Sequence, residues 1–230
     1  MNMNAIIKTG PVPGVIYAPV EKPAPGPGEV LIKVAAAAIC GTDMHYYQWN
    51  QAAVDFGTKY NIQFPMVLGH ECAGTIVELG PDVSNLKVGQ RVSVETHIPC
   101  GTCFHCQNDM SYNCSMSIYG TSCDGCFAEY AVVPAKVAFV LPDGLSFEEG
   151  ALLEPGGVAM RAVEEAHVQP GDTVVVNGCG PIGLLSVLLL KAGNAANVIA
   201  VDMDEYRLGM AAKFGAITIN IKKQDPVEEI

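Results

Sequence analysis

Hydrophobic and polar positions fall into two regimes along this chain. Up to about residue 145, short apolar runs at 5–8, 29–34, 74–80, 88–94 and 127–134 alternate with Gly, Pro, Asn and Asp, which reads as strands and turns. Gly10-Pro11-Val12-Pro13-Gly14 and Pro23-Ala24-Pro25-Gly26-Pro27-Gly28 are turn segments. Residues 35–38 lead into a loop at Cys40, and 43–49 predict a short helix. Strands this short, at these intervals, predict a small barrel or sandwich.

Past residue 150 the period changes. Residues 147–166 read as helical, with Pro155-Gly156-Gly157 interrupting the helix. Thr173-Val174-Val175-Val176-Asn177 is a continuous apolar strand of the kind buried on both faces. A helix over 182–192, a strand over 197–201, a helix over 205–214 and a strand over 216–221 follow. The order βαβαβ predicts a parallel sheet. The fold expected is mixed α/β in two domains, 1–155 and 156–230.

Composition narrows the function. Half of the 230 residues are hydrophobic and 16% are charged, as in globular proteins. A net charge of −11 argues against nucleic acid and anionic membrane surfaces, which demand clustered Lys and Arg. The longest apolar stretch, 182–190, is too short to span a bilayer, and the first residues carry no cationic, apolar leader. A soluble, cytoplasmic protein without membrane partners is expected. In that setting nine cysteines point to metal rather than disulfides.

Three motifs carry chemistry. Cys100, Cys103, Cys106 and Cys114 are spaced C-x₂-C-x₂-C-x₇-C, which reads as a closed tetrahedral and therefore structural zinc site. An iron–sulfur cluster also takes four cysteines, but a loop rich in Gly, Asn and Asp weighs toward zinc. His105 lies inside the motif without a place in a shell that four thiolates fill. Cys40-Gly41-Thr42-Asp43-Met44-His45 and Gly69-His70-Glu71 supply thiolate, imidazole and carboxylate, the donor types of a catalytic zinc. His70 and Glu71 are adjacent, so only an irregular loop brings both to one metal. Cys72, Cys179 and the Cys123-Asp124-Gly125-Cys126 pair read as core or turn cysteines.

The third motif is Gly178-Cys179-Gly180-Pro181-Ile182-Gly183, which follows a strand and opens a helix. Gly178 turns the chain, Gly180 lets the backbone approach a pyrophosphate, and Gly183 permits close helix–strand packing. Pro181 and Ile182 begin the helix, whose N-terminus favours phosphate. Asp202 ends the next strand, where it accepts both ribose hydroxyls and selects NAD over NADP. Arg207 lies over the adenine or is a solvated helix charge.

Taken together, these motifs resemble the zinc-dependent medium-chain dehydrogenase/reductase family over essentially the whole chain. The resemblance implies a GroES-like catalytic domain with a structural-zinc lobe at about 97–115, followed by a Rossmann domain. It also implies two zinc ions and NAD. Cys40, His70 and Glu71 match the catalytic-zinc residues, with Glu154 a nearby carboxylate that binds directly or through water. Thr42 and His45 match a proton relay. His97 matches a residue facing the substrate pocket.

Residues 42–49 and 94–100 look most like the branch that oxidises L-threonine to 2-amino-3-oxobutanoate. That branch carries Asn where Val158 stands, and Arg161 is also unfamiliar there; Val158 looks more like the polyol and butanediol branch. A non-catalytic zinc-binding relative is the rival class. It has no need of Cys40, His70, Glu71 and Glu154 alongside Thr42 and His45. Partners implied are a small alcohol or amino-acid substrate and, for the family, further copies of the chain. The third strand ends near residue 221, so only the adenosine-side half of a Rossmann fold is expected, in a fragment whose Val-rich first strand is a sheet edge.

Overall fold

The computed structural model describes residues 1–114 and 118–230; the tail of the expected lobe, at residue 115, lies outside them. The chain divides into two compact units, Met1–Glu154 and Pro155–Ile230.

In the first unit the elements are β1 (Asn2–Lys8), β2 (Ile16–Glu21), β3 (Glu29–Ala38), α1 (Gly41–Gln48), α2 (Gln51–Lys59), β4 (Met66–Val67), β5 (Glu71–Leu79), β6 (Arg91–Val94), α3 (Phe104–Gln107), β7 (Tyr130–Pro134), β8 (Ala138–Val140) and α4 (Phe147–Ala151). A five-stranded antiparallel sheet runs β7-β3-β5-β6-β8, and a three-stranded one runs β2-β1-β4. Strand side chains alternate faces, so Val30 and Ile32 of β3 point the same way into a core with Cys72, Ile76, Val92, Val94 and Val133. Each such fully buried aliphatic side chain contributes about 1.5–3 kcal/mol.

Several elements are shorter than the apolar runs suggest. Residues 88–90 turn at Gly89 (φ +89°) before β6, and 127–129 cross irregularly to the small sheet before β7. The second short helix, α2, has no apolar run to announce it; Asn50 caps its start.

The second unit takes most of α5 (Leu153–Glu165), then β9 (Thr173–Asn177), α6 (Pro181–Ala192), β10 (Asn197–Asp202), α7 (Glu205–Lys213), β11 (Ile217–Asn220) and α8 (Pro226–Glu229). Its three strands are parallel in the order β11-β10-β9. The core lies between β9, β10 and helices α6 and α7, with Val187, Leu190, Val198, Ala200, Leu208 and Ala211 buried.

Two expectations fail. Pro155-Gly156-Gly157 does not interrupt a helix: Pro155 sits in the first turn of α5, where a missing N–H breaks no bond. Nor is β9 buried on both faces. Val174 and Val176 pack on the core, while Val175 is 43% exposed on the edge strand. Among the described residues no helix is long and apolar enough to cross a membrane.

Candidate metal and dinucleotide sites

The loop before β5 is fixed by its backbone. Gly69 has φ +92°, and a Cβ there would fall 2.4 Å from the Phe127 ring. Its carbonyl accepts the Cys126 N–H (3.0 Å), and Leu68 carbonyl accepts the Phe127 N–H (2.8 Å). This pinned turn places His70 in the loop and Glu71 as the first strand residue, which resolves how neighbours in sequence meet at one point. Cys40 stands opposite, at the N-cap of α1. One donor atom each from Cys40, His70 and Glu71 lies within 4.8 Å of the others. Tetrahedral ligands at zinc bond lengths sit roughly 3.3–3.8 Å apart, inside that limit.

The electrostatics fit a cation. His70 and Glu71 are each 5% exposed. Burial pulls the His70 pKa down, but its hydrogen bond to Cys40 and the charges of Asp43, Cys40 and Glu154 outweigh this and lift it to about 9. Burial and then Glu154 push the Glu71 carboxyl up. The Glu154 carboxyl is also raised by burial, against a hydrogen bond from Thr96 and the charge of His70. Carboxylates that crowd one another in a dry site are relieved by metal. Asp43 Oδ1 lies 3.7 Å from His70 Nδ1, and neither atom has a hydrogen-bond partner among the described residues. That orients the imidazole as an outer-sphere carboxylate does for a ligating histidine. The other Asp43 oxygen accepts the Cys40 N–H (2.9 Å), so Asp43 braces two members of the triad. Zinc therefore suits the residues present.

Glu154 stands outside the triad proper, held by the Thr96 hydroxyl, which donates to its Oε1. Thr96 is buried, and its carbonyl accepts the Tyr119 N–H (2.9 Å). Thr42 Oγ1 is 3.7 Å from Cys40 Sγ, which sets a hydroxyl beside the metal cluster. His45 follows one turn along α1, with Asn50 Nδ2 at 2.8 Å from its Nδ1. His97 pairs with Glu95, whose Oε1 accepts from both the ring Nδ1 and the His97 N–H at 3.0 Å. That bond raises the His97 pKa against the opposing effect of burial.

The four cysteines of the lobe also converge, all sulfurs lying within 4.8 Å of one another. N–H groups of Thr102 (3.4 Å) and Cys103 (3.3 Å) point at Cys100 Sγ. These bonds, with the Thr102 hydroxyl, pull its pKa down to about 5, so one ligand stands ready as thiolate. His105 is not among the converging groups.

In the second unit Gly178 (φ +97°) makes the turn after β9, and Gly180 caps α6 with Pro181 first in the helix and Ile182 next. A Cβ on Gly183 would lie 1.9 Å from the Gly178 carbonyl oxygen, whereas one on Gly180 would meet nothing within 4 Å. Gly183 is thus required by packing, and Gly180 faces open space. Asp202 is more occupied than expected. Its Oδ2 accepts the Cys179 N–H (2.6 Å), and its Oδ1 accepts those of Met203 (2.7 Å) and Asp204 (2.9 Å). With about four lone-pair sites on a carboxylate, three already filled, it takes one ribose hydroxyl before a backbone bond must yield. Arg207 is exposed on α7, as a solvated helix charge would be, and its charge helps lower the Asp202 pKa.

Asp43, Asn50, Glu95 and Thr96 were missed from sequence. Asp43 lies inside the Cys40 motif, where a carboxylate beside ligands could have been read as an outer-sphere partner. Glu95 and Asn50 act on near neighbours, His97 and His45, and Thr96 on the distant Glu154, and none of the three belongs to a motif that marks it.

Residues 26–143 match the model of the alcohol dehydrogenase GroES-like domain. L-threonine 3-dehydrogenase of Thermococcus kodakarensis is 44% identical over 98% of this chain and 63% of its own length. Sorbitol dehydrogenase of Bacillus subtilis is 40% identical over 97% of the chain and 60% of its own length. A zinc-binding dehydrogenase from Sinorhizobium meliloti, crystallised with NADP, superposes with a TM-score of 0.91 at 34% identity, covering all of this chain and 65% of that one. The chain spans less than two thirds of the length of these relatives. With a GroES-like unit, a β-α-β-α-β dinucleotide unit and these metal-ligand clusters, the chain belongs to the zinc-dependent medium-chain dehydrogenase/reductase family.

Proposed function

We propose that the protein oxidises a secondary alcohol with NAD as hydride acceptor, and that its substrate is L-threonine, taken to 2-amino-3-oxobutanoate. The observation that carries the reading is the convergence of Cys40, His70 and Glu71 with the Thr42 hydroxyl beside Cys40. Cys40, His70 and Glu71 would hold a zinc ion with the Glu154 carboxylate beside them, and Cys100, Cys103, Cys106 and Cys114 would hold a second, structural zinc. When bound, the first ion supplies Lewis acidity that makes an alcohol hydroxyl more acidic. Thr42 takes that hydroxyl's proton in exchange for its own. His45, three residues on and on the same helix face, carries it outward.

His97, oriented by Glu95, faces the polar end of the substrate. Gly178, Gly180, Gly183 and the start of α6 receive the pyrophosphate of NAD, and Asp202 a ribose hydroxyl. The Asp202 carboxylate, kept ionised by its three N–H donors, repels a 2′-phosphate and disfavours NADP. The L-threonine 3-dehydrogenases at 41–44% identity support this substrate. Val158 and the sorbitol dehydrogenase relative support a polyol or vicinal diol as the second reading.

The test is NADH formation by the zinc-loaded chain with L-threonine, butane-2,3-diol and sorbitol in parallel, together with the visible spectrum of the cobalt-substituted chain on adding each. Threonine turnover, or a cobalt spectrum perturbed by threonine alone, supports the proposal. A response to diol or sorbitol alone moves the substrate to the second reading. Silence in both assays overturns the activity.

A further inference from the structure

Asn50 joins two helices through one amide. Its Oδ1 accepts the Ala53 N–H (3.3 Å) and so caps α2. That engagement settles which end of the amide faces which way, because only the oxygen can accept. The NH₂ end then faces α1, where it donates to His45 Nδ1 (2.8 Å) and to Gln48 Oε1 (3.3 Å). The Asn50 main-chain N–H also donates to the His45 carbonyl (3.4 Å), which holds the two residues in register. Both hydrogens and the oxygen of the amide are thereby engaged, and turning it over would set its NH₂ against the Ala53 N–H.

A ring nitrogen that receives an N–H bond carries no proton, and a neutral imidazole has one N–H and one lone pair. We propose that Asn50 is a positioning residue that holds His45 as the Nε2–H tautomer, leaving its only lone pair on Nδ1 and closed by the Asn50 amide. The inference rests on the reading of His45 as a proton carrier. His45 then presents a donor, not an acceptor, on Nε2. In the oxidative direction a proton enters the ring only when the Asn50 hydrogen bond opens or the tautomer switches. Asn50 is thus a gate on the relay while it touches neither substrate nor cofactor.

The test is long-range ¹H–¹⁵N correlation of ¹⁵N-histidine-labelled, zinc-loaded protein, at a pH where the ring is neutral. A His45→Gln variant identifies the signal by its loss. The expected wild-type pattern is protonated Nε2 and unprotonated Nδ1. Asn50→Asp keeps the N-cap, since Asp caps as well as Asn, but offers Nδ1 an acceptor. The proton is expected to move to Nδ1, with far-UV circular dichroism verifying the fold. Asn50→Ser keeps a cap too short to reach the ring, and both tautomers are then expected together. Protonated Nδ1 in the wild type, or an unchanged pattern in Asn50→Asp, overturns the proposal. NADH formation left intact by His45→Gln refutes the relay itself and leaves the tautomer assignment to stand on the spectra, so the two failures are told apart.

Discussion

Replacing Gly183 by Ala separates packing from ligand binding in the dinucleotide unit. The added methyl would sit 1.9 Å from the Gly178 carbonyl oxygen and 2.9 Å from its carbon, both main-chain atoms that no rotamer change removes. To reach an ordinary contact, the start of α6 and the turn after β9 must part by roughly 1.5 Å. Overpacking of this kind costs about 1–3 kcal/mol, and Ala recovers about 1 kcal/mol over Gly within a helix. A clash with main-chain atoms puts the cost at the upper end of that range, so the net loss expected is about 2 kcal/mol.

Gly180→Ala is the matched control. Its methyl meets nothing within 4 Å, so stability stays within about 0.5 kcal/mol of wild type, while the methyl occupies the space through which a pyrophosphate approaches. Urea unfolding followed by far-UV circular dichroism reports both units, and the single tryptophan, Trp49, reports the first, so a transition seen by circular dichroism alone belongs to the second. Calorimetric titration gives NAD affinity. Gly183→Ala should lose stability, and Gly180→Ala should lose NAD binding alone. Equal stability in the two variants would refute the packing argument, and undiminished NAD binding by Gly180→Ala would refute the assigned crevice.

Other outcomes follow from the same geometry. Thr96→Val removes the hydroxyl that holds Glu154 and should weaken zinc binding at the Cys40 cluster by about 10-fold, with Thr96→Ser restoring it; competition with a chromogenic chelator measures both. Asp43→Asn, which removes the charge facing His70 Nδ1, should weaken the same site by about 10- to 100-fold and leave the four-cysteine site untouched. The Asp202 carboxyl is held below its ordinary value by the Cys179, Asp204 and Met203 N–H groups. Its contribution is therefore complete above the unfolded pKa of about 3.9 and is lost as pH falls through the lower folded value. An acid titration followed by circular dichroism should show a steeper loss below about pH 4 in wild type than in Asp202→Asn.

Fold and chemistry were legible where local pattern and function coincide. The C-x₂-C-x₂-C-x₇-C spacing closes within one loop, so four sulfurs meet without help from distant elements. The glycines of the 178–183 turn have constraints set by their immediate neighbours, and those too can be read from order alone. Where outcome depended on tertiary context, the sequence misled. Pro155 looked like a breaker because its position within the helix was unknown, and Val175 looked buried because apolarity does not say whether a second layer covers that face of the strand. Asp202 was read as free for both ribose hydroxyls, since nothing in sequence reveals that three backbone N–H groups of its own turns already claim it. Thr96 and Asn50 act on Glu154 and His45 through hydrogen bonds that only the folded chain creates.

The central claim is that this family member builds one metal site from Cys40, His70 and Glu71 and another from four cysteines. Zinc content of the purified chain, measured by mass spectrometry beside Cys40→Ser and Cys103→Ser, tests it directly. Two ions per chain are expected in the wild type, one for each cluster, and each variant should lose the ion of its own cluster while keeping the other. Two ions retained in Cys40→Ser, with circular dichroism showing an intact fold, would contradict the assignment.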